Sequence, residues 1–524
     1  MKKNILWFAV VLLTAFVGVS CSNEDILSEV PTPNPSKEVA ENIVTFTATL
    51  DSKGGSGMRA ISTSGVTTWE ENEEILITYK NTSNVSQEAK ATVTSVSGGK
   101  ATITAPLVDP KDGCVVHFYY PYESQKETPT KYLATDQDGS LSTLSQYFDQ
   151  ADDDSWYGGD PYYLSVSGGV ATLPSSINMV NKNVIWKLSF KDGANDITSS
   201  ITKLEIHASD GGTTDYTITP SPSRPITDYF YVAMGDLSND NIVITAYTST
   251  GMYRRAKSNI TLEMGKIYTT TGLAMNKVEI GKLFGADGNV YADAAEVSAA
   301  STTAIGVVAY IGTNNYTENG KTISGSDFVG HGLVLCLKNA ASEVCWSNVA
   351  YTSEFAGQEV DDTGDLKRST NVSGYTNTAT LAAKTDAETK YPAAYQAKNY
   401  TGLTAPATGT TGWFLPSAQQ WVKMIEGLGE LADGAPNFDG TWFDNSHSAV
   451  NKWEAALSKA GSGKYDSMTG NLLYYWSSSE YDDNNAVCLY IDATHTGGDY
   501  GFKWSYDPKI TAYYLYQVRP VLAF

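Results

Sequence analysis

Five histidines, five cysteines and a dense run of tyrosines near residue 500 are the side chains best placed to do chemistry. The histidines are His117, His207, His331, His447 and His495. They show no metal-ligand spacing, and none stands beside a G-x-S-x-G serine, so they read as structural or surface residues. The cysteines are Cys21, Cys114, Cys336, Cys345 and Cys488. No C-x-x-C pair occurs, which argues against a zinc knuckle and a thioredoxin-type redox site. Cys336 and Cys345 leave a disulfide or two separate core thiols open. The oxygen-rich runs Asp482-Asp483-Asn484-Asn485 and Asp361-Asp362-Thr363-Gly364-Asp365 miss the EF-hand spacing and read as solvated turns. The expectation is a protein with no catalytic residues, no metal and no cofactor.

The tyrosines point to binding instead. Residues 481–516 contain Tyr481, Tyr490, Tyr500, Tyr506, Tyr513, Tyr514 and Tyr516, against 33 tyrosines in all 524 residues. Tyrosine gives a large, stiff contact area and a hydroxyl at low entropy cost, as in antibody paratopes. Strand composition also favours tyrosine, and alternation helps to separate the two. In 486–492, Val487, Leu489 and Ile491 share one face, expected inward. Cys488, Tyr490 and Asp492 share the other, expected to look outward at a ligand. Around Tyr513–Tyr516 both faces carry apolar or aromatic residues.

The N-terminus says where such a site would be used. Lys2 and Lys3 form a basic start, and residues 5–17 are an apolar run broken by Thr14. That length predicts a signal peptide over 1–20 rather than a membrane span. Gly18, Val19 and Ser20 before Cys21 resemble a bacterial lipobox, although Gly18 stands where leucine is usual. Lipidation of Cys21 is the expectation, with residues 21–40 as anchor and linker containing Pro31, Pro33 and Pro35. Ser22-Asn23-Glu24-Asp25 resembles the acidic tag of surface-exposed Bacteroides-group lipoproteins. The net charge of −22 repels phosphate backbones, which argues against nucleic-acid binding.

The elements that must carry this site are mostly strands. Val44, Phe46 and Ala48 alternate with threonines, Ile75, Ile77 and Tyr79 repeat the period, and Val184, Trp186, Leu188 and Phe190 alternate cleanly. Two β-sandwiches are predicted, over 41–170 and 171–275. The runs Val44-Thr45-Phe46-Thr47-Ala48, Met58-Arg59-Ala60, Trp69 to Ile75 and Gly265-Lys266-Ile267-Tyr268 resemble Bacteroides-group fimbrillins. The resemblance implies two transthyretin-like sandwiches that assemble with other fimbrial subunits by strand exchange. It also implies proteolytic processing between Arg59 and Ala60. Loss of Val44–Leu50 would leave an apolar groove with unpaired backbone for another chain to fill.

Residues 276–524 read as α+β. Ser417 and Gln420 form a capping box, with Trp421, Met424, Ile425 and Leu428 on one helical face. Further helices are expected over 449–460, stopped by Gly461, and over 392–398. Gly412-Trp413-Phe414-Leu415-Pro416-Ser417, Tyr475-Trp476-Ser477-Ser478-Ser479-Glu480 and Val518-Arg519-Pro520-Val521, in this order, resemble a bacterial C-type-lectin-like domain. This is the type varied by diversity-generating retroelements. The calcium signatures E-P-N and Q-P-D of sugar-binding lectins are absent. The related formylglycine-generating enzymes use a close cysteine pair near the C-terminus, which Cys336, Cys345 and Cys488 do not supply.

Variation in that family, at adenines of asparagine codons, cannot produce Lys or Trp, which implies that Lys503, Trp504 and Lys509 are fixed. The implied ligand-binding set is Asp482, Asn485, Cys488, Tyr490, Asp492, His495, Asp499, Tyr500, Phe502, Tyr506, Asp507, Thr511, Tyr513 and Tyr514. The fold class expected is mainly β: two transthyretin-like pilin sandwiches, then a C-type-lectin-like domain. The expected function is that of a fimbrial tip adhesin at the cell surface, anchored to the outer membrane by lipid and holding a protein or glycan ligand. A monomeric glycan-capturing lipoprotein and, third, a formylglycine-generating-type enzyme are the competing readings.

Overall fold

Alternation at period two builds most of this molecule, and its apolar sides meet in a series of cores. The computed structural model describes residues 42–51, 60–61, 67–122, 135–144, 150–152, 160–181, 183–209, 213–312, 317–318, 321–322, 331–349, 354, 374–432, 441–444, 447–470, 472–494, 501–510 and 514–524. The protein is mainly β. The expectations for Cys21, Arg59, His495, Asp499, Tyr500, Thr511 and Tyr513 lie outside the described residues.

The first region holds β1 (Ile43–Asp51), β2 (Glu74–Lys80), β3 (Ser86–Ser97), β4 (Lys100–Val108) and β5 (His117–Tyr120). A two-residue strand, β6 (Asp136–Gln137), follows. Then come β7 (Gln150–Asp152), β8 (Ser165–Ser167), β9 (Val170–Thr172) and β10 (Ile177–Asn181). Apart from β6 these form one sheet in the order β8-β9-β1-β10-β7-β5-β2-β3-β4, closed by pairing of β1 with β4. β1 runs antiparallel to β4 and parallel to β9 and β10. Its inward residues Val44, Phe46, Ala48 and Leu50 stand opposite Leu107, Ala105, Ile103 and Ala101. All eight are buried in one core. Pairing in this sheet continues to Asn181, past the expected boundary at 170.

The second region is a two-sheet sandwich. Its central strand, β11 (Val184–Asp192), carries the Val184, Trp186, Leu188, Phe190 alternation. The facing strands include β12 (Ile201–Ser209), β13 (Thr213–Ile218), β15 (Leu237–Thr248) and β16 (Gly251–Leu262). β11 is flanked by β14 (Phe230–Met234) and, in parallel, by β17 (Ile267–Ala274). The other sheet runs β18-β16-β15-β12-β13-β6, with β18 at Asn276–Lys277. So β6, from inside the first region, is an edge strand of the second. Gln137 fixes it there through hydrogen bonds to both backbone groups of Ala233, 2.6 and 3.0 Å.

The third region has two five-stranded sheets and six helices among its described residues. One sheet comprises β19 (Leu283–Gly285), β20 (Val290–Tyr291), β21 (Ala304–Ile311), β22 (Gly332–Cys336) and β28 (Val521–Ala523). The other is ordered β23-β27-β24-β25-β26, with β23 at Ala341–Val344, β24 at Leu473–Glu480, β25 at Asn485–Asp492, β26 at Gly501–Pro508 and β27 at Tyr516–Val518. The helices are α1 (Ala294–Ala299), α2 (Gly374–Ala382), α3 (Ala387–Lys390), α4 (Pro392–Lys398), α5 (Ala418–Leu428) and α6 (Ser448–Ser458). α1, α2 and α3 carry no strong period and went unforeseen. α5 begins with the expected capping box. α6 starts instead on the Asp444 carboxylate, which accepts from the Ala449 and Val450 N–H groups. Gly461 follows it at φ 97°, a conformation that favours glycine.

Candidate ligand-binding surface

The three sequence motifs converge on one scaffold. Phe414 and Val521 exchange both backbone hydrogen bonds at 2.9 Å. The Ser478 N–H donates to the Pro416 carbonyl, and the Ala418 N–H donates to the Ser479 hydroxyl. Arg519 is fully buried and donates to the Asn339 side chain and the Asp466 carbonyl. Gly412 opens its motif at φ 72°, in the left-handed region. These residues position the β24–β26 sheet rather than face a ligand.

Both faces of that sheet are covered. Val487, Leu489, Ile491, Phe502 and Trp504 pack into the core shared with α5 and α6. The opposite face, with Trp476, Cys488, Tyr516 and Val518, packs against Trp346, Leu381 and Leu415. This corrects the expected outward face of β25. Cys488 is 0% exposed and Asp492 is 1% exposed, because residues around Trp346 and helices α2 and α4 form a second layer there. Phe502 is core as well, stacked on Phe443 at 5.7 Å. Trp504 and Lys509, expected as fixed scaffold, are both 1% exposed. Lys509 pairs with the buried Glu480 at 2.6 Å.

Among the described residues of the expected set, two groups form. At the β24–β25 turn, Asp482 accepts from the Asn484 and Asn485 backbone N–H groups and from the Asn485 amide. Burial raises its pKa, but these bonds and the charge of Lys509 outweigh it and hold the carboxyl below its ordinary value. Tyr481 and Tyr506 stack beside this turn at 3.9 Å. The second group lies on the face carrying Tyr490. Asp507 accepts there from the Cys488 thiol, the Tyr490 and Tyr516 hydroxyls and the Ser505 hydroxyl. Burial and the adjoining Asp507 push the Cys488 thiol well above its ordinary value, so it is held as a neutral donor.

Around Asp507 the aromatic rings are ordered. Tyr474 stacks on Tyr516 at 4.8 Å, and Tyr490 meets the Tyr474 edge at 4.3 Å. Tyr514 adds an edge contact to Tyr516 at 6.2 Å. Tyr474, Tyr490 and Tyr514 are half-buried. Tyr474, Tyr516 and Ser505 were absent from the expected set. Tyr474 precedes the motif that begins at Tyr475, and only the register Tyr474 opposite Tyr490 brings it to this face. What the group offers is a semi-rigid aromatic patch with hydroxyls over a buried carboxylate, suited to contact rather than bond-making. Among the described residues, no cluster of three His, Cys, Asp or Glu side chains could hold a metal ion.

Fold and surface together define a mainly β protein with an aromatic patch on its last sheet. The chain is similar to a fimbrial protein from Bacteroides ovatus, at 16% identity and a TM-score of 0.38, over 92% of this chain and 100% of that one. It is also similar to the C-terminally truncated tip fimbrial protein Mfa3 from Porphyromonas gingivalis, at 9% identity and a TM-score of 0.23, over 43% of this chain and 93% of that one. No family model and no curated protein sequence matches the chain. Neither structural overlap is close enough to transfer a role to any residue.

Proposed function

We propose that this protein is a cell-surface adhesin of a fimbrial type that presents the Tyr474–Tyr490–Tyr514 patch to a ligand. The observation that carries the binding role is that patch: three half-buried tyrosines, each in ring contact with Tyr516, whose hydroxyl donates to Asp507. Assembly by strand exchange has separate support in β1. It is bonded on both edges, and its apolar residues Val44, Phe46, Ala48 and Leu50 are at most 7% exposed. Cleavage between Arg59 and Ala60 would sever β1 from the rest of its region and open that groove. The lipid at Cys21, the C-type-lectin-like character of 276–524, variation of its ligand face and surface delivery belong to the same reading, on the sequence resemblances. Placement at the filament tip rests on β24 to β28 being consumed within their own sheets, which leaves that stretch no donor strand to give.

The test is a trypsin-like digest followed by strand replacement. The expected product begins at Ala60, binds an apolar dye and regains stability when a synthetic peptide of residues 43–51 is added. In parallel, Tyr490→Ala and Tyr514→Ala should abolish capture of cells or host extracts that the parent chain captures. A chain that stays intact and monomeric yet keeps tyrosine-dependent glycan capture would favour the glycan-capturing lipoprotein. Capture unchanged in both variants would remove the patch from the binding site.

A further inference from the structure

The patch has a polarity, and polarity selects a ligand. Asp507 is used as an acceptor four times over, by Cys488, Ser505, Tyr490 and Tyr516. A phenol has one proton. Tyr490 and Tyr516 both reach Asp507, and their oxygens also lie 3.1 Å apart, so these hydroxyls are engaged with the carboxylate and with each other and leave the rings to meet a ligand. Burial and the bond to Asp507 both push the Tyr490 phenol up, which keeps that proton in place. The rings present negative π faces, and a cation over such a face is attracted electrostatically. Beneath them lie two buried carboxylates, Asp492 and Asp507, 1% and 7% exposed. Lys503, in register with Tyr490, stands over the Trp442 ring at 5.8 Å. The whole chain carries −22, so its field draws cations inward.

We infer that this patch takes the ammonium or guanidinium group of a basic side chain on a protein partner. The Tyr474, Tyr490 and Tyr514 rings pack against the cation, and the buried Asp507 carboxylate supplies the attracting charge. An acidic saccharide is repelled by the carboxylates and a neutral one gains nothing from them, whereas a basic side chain is drawn by the carboxylates and the π faces together. This inference rests on the binding role proposed above for the same face.

The experiment measures binding of the full chain to immobilised peptides of equal length carrying lysine, norleucine or glutamate at alternate positions. Chitosan, neutral and uronic-acid oligosaccharides complete the panel. The lysine peptide should bind about tenfold more tightly than the norleucine peptide, the size expected of a desolvated cation–π contact. Tyr474→Ala and Tyr514→Ala should each remove most of that preference, and Tyr490→Phe, which keeps the ring but removes the hydroxyl and its bond to Asp507, should retain most of it. None of these changes alters net charge, so non-specific attraction to an acidic chain is untouched. Near-ultraviolet circular dichroism checks that each variant is folded. Equal lysine-peptide binding by parent and alanine variants would overturn the inference. So would chitosan outbinding the lysine peptide, which would assign the cation to a glycan. Tyrosine-dependent capture of an acidic or neutral probe alone would overturn the inference and leave the binding face standing. If no probe and no natural extract responds to the tyrosine variants, the binding role itself falls.

Discussion

At the residue scale, the proposed ligand face rests on a buried pair of charges. Lys509 and Glu480 are 1% and 0% exposed and 2.6 Å apart. Glu480 also accepts from the Glu354 N–H at 2.9 Å, and the Lys509 ammonium lies 5.2 Å from the Trp346 ring centre. The pair therefore ties the end of β24 to the start of the loop after β26 and to the layer covering the Tyr490 face. A buried ion pair adds little net stability over an apolar pair of the same shape, but breaking one side leaves an uncompensated charge. Lys509→Met should cost about 3–5 kcal/mol on that basis, read as an earlier denaturant midpoint by tryptophan fluorescence. Adding Glu480→Leu to Lys509→Met should recover most of the loss. A double variant no more stable than the single one would show that the pair acts through something other than its charge.

At the scale of elements, β1 combines full commitment to the fold with a proposed role that requires it to leave. Phe46 is 0% exposed and stacks on Phe118 at 6.0 Å. Phe46→Ala should cost about 3–5 kcal/mol and speed tryptic loss of β1. A digestion rate equal to the parent's would mean that the strand's packing does not control its release. Much of this element level could be read in the sequence. The period of Val44, Phe46 and Ala48 gives β1, that of Val184 to Phe190 gives β11, and Ser417 with Gln420 gives the start of α5. What escaped was set by distant segments. Cys488 and Asp492 alternate as outward residues should, but Trp346, Leu381 and Leu415 arrive from over seventy positions away to cover that face. β6 has only two residues, both polar, and exists because Gln137 matches the Ala233 backbone. The tyrosine patch was half legible for the same reason. Tyrosine density marked the stretch, while register and the Asp507 bonds decided which rings belong together.

At the scale of the molecule, the proposed presentation of a ligand face on a filament needs a stiff connection between the second sandwich and the third region, and residues 43–524 form one compact unit. Arg254 on β16 is 1% exposed and donates to the Gly288 and Gly409 carbonyls at 2.9 and 2.8 Å. Its guanidinium lies beside the Phe284 and Phe524 pair, 5.7 and 5.4 Å from their ring centres. A second joint is ionisable. Glu205 on β12 pairs with His331 at 3.1 Å and with Lys203, and it accepts from the Tyr247 hydroxyl at 3.0 Å. Burial alone would raise its pKa, but His331 and Lys203 outweigh that and bring it from 4.5 to about 2. A carboxyl held lower in the folded state than in the unfolded one is protonated first in the unfolded chain. Its stabilisation is therefore complete above about pH 4.5 and drains away as pH falls towards about 2. Glu205→Gln should lower the melting temperature at neutral pH and show a shallower loss across that acid window than the parent. Other paired carboxylates, Asp138 and Asp466 among them, titrate in both proteins, so the difference between the two curves isolates this joint. Parallel curves for parent and variant would mean that the Glu205–His331 contact does not hold the two regions together, and that Arg254 and its carbonyl partners carry the connection without it.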